Sequence, residues 1–297
     1  MKSNIKSFGF FISILLLFVA ESIFAIKLGD TMIVFGDSYS DNGNGVFKIS
    51  DGAFPPSPPY FEGRFSNGPV WVEYLSKKLD IPSVNYAAGG ATINSMSVPS
   101  ASGLNDEIIV PGIRQQINDY VDDAHDKGIS AKGNLNLYVV SPFGNDYIYT
   151  LRHGPSISSP EQVIGQFITN LQTLFIEVGA TNFLVATLPK LENLPGFSRA
   201  NDTERAILSK IVEDHNVLLK QALDILKTDF RKVKTILVDT DKIFKKFPSK
   251  NFEPCLTINH EGTHVCDNPE NFLFWDNIHV TTKVHEMLAS EAFDLLK

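Results

Sequence analysis

The chain has 297 residues and a formal net charge of −8, with 43% hydrophobic and 20% charged residues. That apolar share is too high for a disordered chain, and the acidic balance supplies no basic field to hold nucleic acid. Two cysteines cannot make a disulfide scaffold, and 20 Gly and 16 Pro without a repeating period exclude collagen-like and solenoid chains, which leaves a globular protein.

Residues 1–25 carry Lys2 and Lys6, then an apolar stretch from Phe8 to Ala20, then a small residue at Ala25. This is the layout of a secretory signal peptide cut near Ala25. The stretch is shorter than the ~20 residues needed to span a bilayer. An uncleaved anchor is the alternative reading. Export makes disulfides possible, so Cys255 and Cys266 read as one bridge closing a short loop. Cys255, His260, His264 and Cys266 can also be read as four zinc ligands, but the cysteines lie too close to the histidines for the usual two-knuckle spacing.

Beyond Ala25, short β-rich runs alternate with longer helical patterns. Met32 to Phe35, Val84 to Tyr86, Leu135 to Val140, Phe183 to Ala186 and Thr235 to Val238 read as five strands. Helical patterns cover Pro69 to Leu79, Gly112 to Lys127, Glu161 to Val178, Asp202 to Leu226 and Thr282 to Leu296. Such alternation predicts a parallel sheet covered on both faces by helices, with the strand order left open. Three connections, Asp41 to Gly68, Ala91 to Pro111 and Leu188 to Asn201, are long and irregular, as working loops are. In an open α/β sheet, ligands sit beyond the carboxyl ends of the strands, where these loops leave.

The first strand runs into Gly36-Asp37-Ser38-Tyr39-Ser40-Asp41. A serine there can present its hydroxyl at the sheet edge; equally, Asp37 and Ser38 can cap a helix or make a turn. Near the other terminus Asp276 and His279 lie three apart, close enough for the carboxylate to fix the imidazole tautomer while the other ring nitrogen takes a serine proton. A tetrahedral intermediate also needs donors for its oxyanion. Gly89-Gly90, after the second strand, and Asn145, after the third, are candidates, each also readable as an ordinary turn residue. His125, His153, His215 and His285 belong to no motif and are assigned to surface, packing or structural roles.

Taken in order, Gly36-Asp37-Ser38, Gly90, Asn145 and Asp276-x-x-His279 resemble the four motif blocks of the GDSL, or SGNH, hydrolases. The stretch from Pro55 to Trp71, Gly89 to Thr92 and Phe274 to Thr282 is similar to the secreted bacterial lipases that include glycerophospholipid:cholesterol acyltransferases and lysophospholipases A. That branch often carries a cysteine pair shortly before its Asp-x-x-His block, where Cys255 and Cys266 stand.

The resemblance implies a flavodoxin-like three-layer α/β/α sandwich around a five-stranded parallel sheet, and one hydrolase domain over residues 26–297. It implies Ser38 as nucleophile, His279 as its base and Asp276 as the orienting carboxylate. The Ser38 N–H, the Gly90 N–H and the Asn145 amide become the oxyanion donors, with Gly89 close behind Gly90. It implies an ester of lysophospholipid or phospholipid as substrate, at a membrane surface, with a sterol as a second acyl acceptor and with no metal or cofactor. A carbohydrate or short-chain acetyl esterase, and a binding protein that has kept the fold without catalysis, are the alternatives. Two residues depart from the family pattern: Tyr39 replaces a leucine, and Phe143 stands where a glycine is expected.

Overall fold

The computed structural model describes residues 29–128, 135–154, 157–247, 252–260 and 262–297. The expected export segment, residues 1–25, lies outside them. No helix among the described residues is long and apolar enough to cross a membrane.

Five strands form one parallel sheet: β1 (Met32–Gly36), β2 (Ser83–Asn85), β5 (Leu137–Ser141), β6 (Asn182–Ala186) and β7 (Lys234–Val238). Their order across it is β2-β1-β5-β6-β7. All five expected strands are present, with ends shifted by one or two residues. Every residue of β1, β5 and β6 is buried, as a strand covered on both faces must be, and this is why those runs are apolar except for Ser141 and Asn182 at two strand ends. The edge strands β2 and β7 are partly exposed.

The five expected helices are α2 (Trp71–Leu79), α3 (Ile113–Asp126), α5 (Pro160–Val178), α6 (Asp202–Asp229) and α8 (Thr282–Leu296). Three more were not expected: α1 (Val46–Ile49), α4 (Asn145–His153) and α7 (Thr240–Lys246). α1 and α7 have too few turns for an apolar periodicity to be read, and α4, though as long as α2, buries only Tyr147 and Ile148 among its apolar residues. Helices α2 and α8 pack on each other, while α3, α5 and α6 stand in a row. The chain moves from β1 to β2 in one direction and afterwards in the other, so right-handed crossovers deliver the two helix sets to opposite faces. The result is the three-layer sandwich.

The connection from Ala91 to Pro111 is less irregular than its composition suggests. It folds into a small antiparallel hairpin, β3 (Ala101–Ser102) with β4 (Ile108–Ile109). A second hairpin, β8 (Leu256–Asn259) with β9 (Gly262–Val265), is closed by the Cys255–Cys266 disulfide, whose Cα atoms are 4.9 Å apart. Both cysteines are therefore in sulfur–sulfur linkage, which leaves neither thiolate for zinc.

The order of the sheet reverses at β1, and the crevice between β1 and β5 at their carboxyl ends is where an α/β sheet of this kind opens a site. Gln116 of α3 clamps that edge. Its amide nitrogen donates to Gly36 O (2.9 Å) and its amide oxygen accepts from Gly36 N (3.0 Å).

Candidate active site

Ser38 follows β1 by two residues and is buried at the sheet edge. The turn that carries it is organised by Asp37, whose carboxylate accepts from Tyr39 N (3.1 Å) and from Phe143 N (2.6 Å) on the loop after β5. Asp41 does the same for the next loop. It accepts from Gly43 N, Gly45 N and Val46 N, and reaches across to Gly89 N at 3.0 Å. Buried carboxylates satisfied by backbone donors thus stitch the loops after β1, β2 and β5 together.

Asp276 and His279 lie in a bend before α8. Trp275 N closes the bend onto His279 O at 2.7 Å, and Asp276 Oδ1 accepts from Ile278 N (2.8 Å) and His279 N (2.7 Å). The carboxylate therefore holds the backbone of its own turn while His279 Nδ1 sits 2.7 Å from Asp276 Oδ2. On the other side of the ring, His279 Nε2 lies 2.8 Å from Ser38 Oγ. Burial pushes the Asp276 carboxyl up, but the His279 charge and the turn's N–H donors outweigh it and hold the group below the usual carboxylate range.

Asp37 titrates the other way. Burial raises it to about 6 despite its backbone donors, and burial likewise raises Asp146, one residue past Asn145, to about 7. Asp146 accepts from Ile93 N at 3.0 Å, tying α4 to the loop after Gly90.

Gly89 and Gly90 are separated by their contacts. The Gly89 N–H is spent on Asp41, whereas the N–H groups of Gly90 and Ser38 take no acceptor among the described residues. Gly90 has φ +85°, and a Cβ there would fall 1.9 Å from Ala101 O. Asn145, the first residue of α4, donates its amide to Ala91 O at 2.9 Å. That bond fixes the amide beside the Gly90 loop. Gly144 before it has φ +106°, so a glycine still makes the turn next to Phe143.

Two tyrosines at the site carried no expected role. Tyr60 OH donates to Asp276 Oδ2 at 2.7 Å, and Tyr39 OH donates to Ile278 O at 2.8 Å. Tyr60 lies 216 positions from Asp276, and nothing local in the sequence announces such a contact. The segment that carries Tyr60 is tied to the same turn: Ser66 Oγ donates to Val280 O (2.9 Å), and Asn67 Oδ1 accepts from Thr282 N (2.8 Å). Phe65 packs on the His279 ring, centroids 4.9 Å apart.

The remaining histidines stand outside the site or support it. His215 is buried against Tyr147 OH (2.8 Å), His285 is buried under Tyr39, and His153 meets Asp106 on the surface at 2.7 Å. No group of three or more His, Cys, Asp or Glu among the described residues could hold a metal ion.

A model of the GDSL-like lipase/acylhydrolase family matches residues 32–292. The chain is 29% identical over 285 residues to the thermolabile hemolysin of Vibrio parahaemolyticus, covering 89% of this chain but only 63% of the hemolysin's length. It is 26% identical over 309 residues to the phosphatidylcholine-sterol acyltransferase of Aeromonas hydrophila, covering 88% of each. Among solved structures, a GDSL-like lipase from Parabacteroides merdae superposes with a TM-score of 0.54 at 13% identity, over 92% of this chain and 99% of that one. This last likeness speaks to the fold alone.

Proposed function

Because the chain belongs to the GDSL-like lipase/acylhydrolase family, we propose that it is a secreted serine lipase acting on lysophospholipids or phospholipids, with residues 1–25 directing export and 26–297 forming one hydrolase domain. The observation that carries the reading is the continuous chain from Ser38 Oγ through the His279 ring to Asp276, at 2.8 Å and 2.7 Å.

In that chain His279 Nε2 takes the Ser38 proton as Oγ attacks the ester carbonyl, and Asp276 stabilises the imidazolium that forms. The developing oxyanion is met by the Ser38 and Gly90 N–H groups and the Asn145 amide, each such donor worth about 3 kcal/mol to the transition state. His279 then returns the proton to the leaving alcohol, and an acyl-Ser38 intermediate remains. Water deprotonated by His279 releases a fatty acid; a sterol hydroxyl in its place yields a sterol ester. Similarity to a phosphatidylcholine-sterol acyltransferase over most of both chains supports the second outcome beside the first.

The test is product analysis with lysophosphatidylcholine, with and without cholesterol, comparing wild type with Ser38→Ala. Fatty acid release that the Ser38→Ala variant abolishes supports the lipase. Turnover of acetylated sugars with lysolipid left intact would identify a carbohydrate esterase instead, and inertness to a fluorophosphonate probe would identify a binding protein.

A further inference from the structure

Most large apolar side chains left in water on a protein surface are scattered singly and need no explanation; a cluster does. Among the described residues the three most exposed large hydrophobics are Met96 (88%), Leu104 (88%) and Ile109 (73%). All three fall in the one segment between Ala91 and Pro111. Ile109 belongs to strand β4, Leu104 lies in the connection that leads from β3 to β4, and Met96 sits in the preceding turn, closed by Ser97 N and Val98 N on Asn94 O.

The segment is held, not loose. Thr92 Oγ1 donates to Val98 O (2.7 Å) and Thr92 N to Ser100 Oγ (3.0 Å). Glu107 turns back onto Asn105 N (2.7 Å), and Asp106 is engaged by His153 of α4. These polar groups of the segment thus have partners within the protein, while its largest apolar side chains are left exposed. It also abuts the site directly, since Ala101 O lies where a side chain on Gly90 would have to stand.

The geometry points to this hairpin as the element that docks the enzyme on a lipid–water interface of zwitterionic lipid, a role that rests on the lipase reading above. Three features choose that partner. The segment holds Asp106 and Glu107 but no Lys or Arg, so it has nothing to offer an anionic bilayer. Three side chains fall short of the ~800 Å² per partner that a stable protein interface buries, yet are enough to anchor a surface element in the boundary of a bilayer. And an anchor beside the oxyanion glycine brings the lipid ester to the catalytic serine without any further displacement of the enzyme.

The experiment uses the triple variant Met96→Ser, Leu104→Ser, Ile109→Ser, with Ile176→Ser, Ile225→Ser as control. The control removes two side chains each 61% exposed, on α5 and α6, outside the hairpin. Co-sedimentation with phosphatidylcholine vesicles is measured in the Ser38→Ala background, so that no lipid is consumed. Hydrolysis of vesicle lipid and of a water-soluble short-chain ester is measured with Ser38 intact. The expected result is a loss of vesicle binding by about tenfold per side chain and a matching loss of vesicle-lipid hydrolysis, with soluble-ester turnover unchanged and the control like wild type.

Vesicle binding and lipid hydrolysis at wild-type levels in the triple variant would overturn the docking role, as would a wild-type dimer that the three substitutions dissociate. If wild type binds vesicles through these residues but hydrolyses none of their lipid, docking stands and the lipase reading fails.

Discussion

Tyr39 lies flat against Phe143, ring centroids 4.2 Å apart and planes within 10° of each other. These are the two residues that depart from the family pattern, and each is the other's partner. Asp37, between strand β1 and Tyr39, holds the Phe143 N–H, so the two rings are brought face to face by the same carboxylate that shapes the serine turn. Offset aromatic pairs add about 0.5–1.5 kcal/mol beyond the area they bury. We expect Phe143→Gly to cost about 3–5 kcal/mol of stability, as other buried Phe truncations do, and Tyr39→Leu less. The double variant should be more stable than the sum of the two losses predicts. Urea unfolding of all four proteins measures that coupling, and additive losses would sink it.

In the proposed mechanism the Tyr60 hydroxyl, bonded to Asp276 Oδ2, acts through that carboxylate as a positioning residue. Tyr60→Phe removes one hydrogen bond to an ionised carboxylate, a change worth about 1.5–3 kcal/mol, so kcat should fall about ten- to hundredfold with KM little changed. Asp276, losing a donor, becomes more basic and supports the protonated His279 more strongly. The acid limb of the pH profile of kcat/KM should then move to higher pH. A purely structural role for Tyr60 would lower activity and stability without moving that limb.

The buried carboxyls give stability an unusual pH dependence. Asp37 and Asp146 are raised by burial to about 6 and about 7. Between about pH 4 and those values the folded protein binds protons that the unfolded chain has released, so stability falls as pH rises, by up to about 1.4 kcal/mol per pH unit for each group. Asp276, held low, has the opposite sign: its contribution is present above about pH 4 and lost below it. Buried His215 and His285, each lowered by burial to about 3, act in the opposite sense below about pH 6.5 and offset that decline, so the carboxyl contribution is read by difference: the stability of Asp37→Asn relative to wild type should rise between pH 4 and 6. A stability difference between Asp37→Asn and wild type that stays constant from pH 4 to 6 would contradict the assignment for Asp37.

Gly90 is required for two separable reasons. A Cβ would strike the Ala101 carbonyl, and φ +85° strains any other residue. Gly90→Ala should displace the donor N–H and lower kcat by about 10²–10³-fold, the loss seen when an oxyanion donor is removed. It should also push the β3–β4 hairpin outward. Hydrogen exchange at Ser102, in β3, and at Val110, whose N–H donates to Ser100 O, reports that shift; unchanged protection with full activity would show that Gly90 does neither.

What the sequence by itself determined is what is local. The β1, β5 and β6 runs are apolar but for Ser141 and Asn182 at two strand ends because both faces of the central strands are covered, and α2, α3, α5, α6 and α8 carry an apolar periodicity that can be read. Ser38, Asp276 and His279 could be named because each sits in a short motif of fixed spacing. What only the tertiary structure decided depends on groups far apart in the chain. That the Gly89 N–H is taken while the Gly90 N–H stays open follows from a hydrogen bond between Gly89 and Asp41, 48 positions away. Tyr60 gained its place from the folding of the Pro-rich segment over the Asp276 turn, and Tyr39 and Phe143, far apart in the chain, meet as a stacked pair. Such contacts leave no periodic or spacing signal, because hydrogen bonds and ring stacking act over a few ångströms in space and place no constraint on separation along the chain.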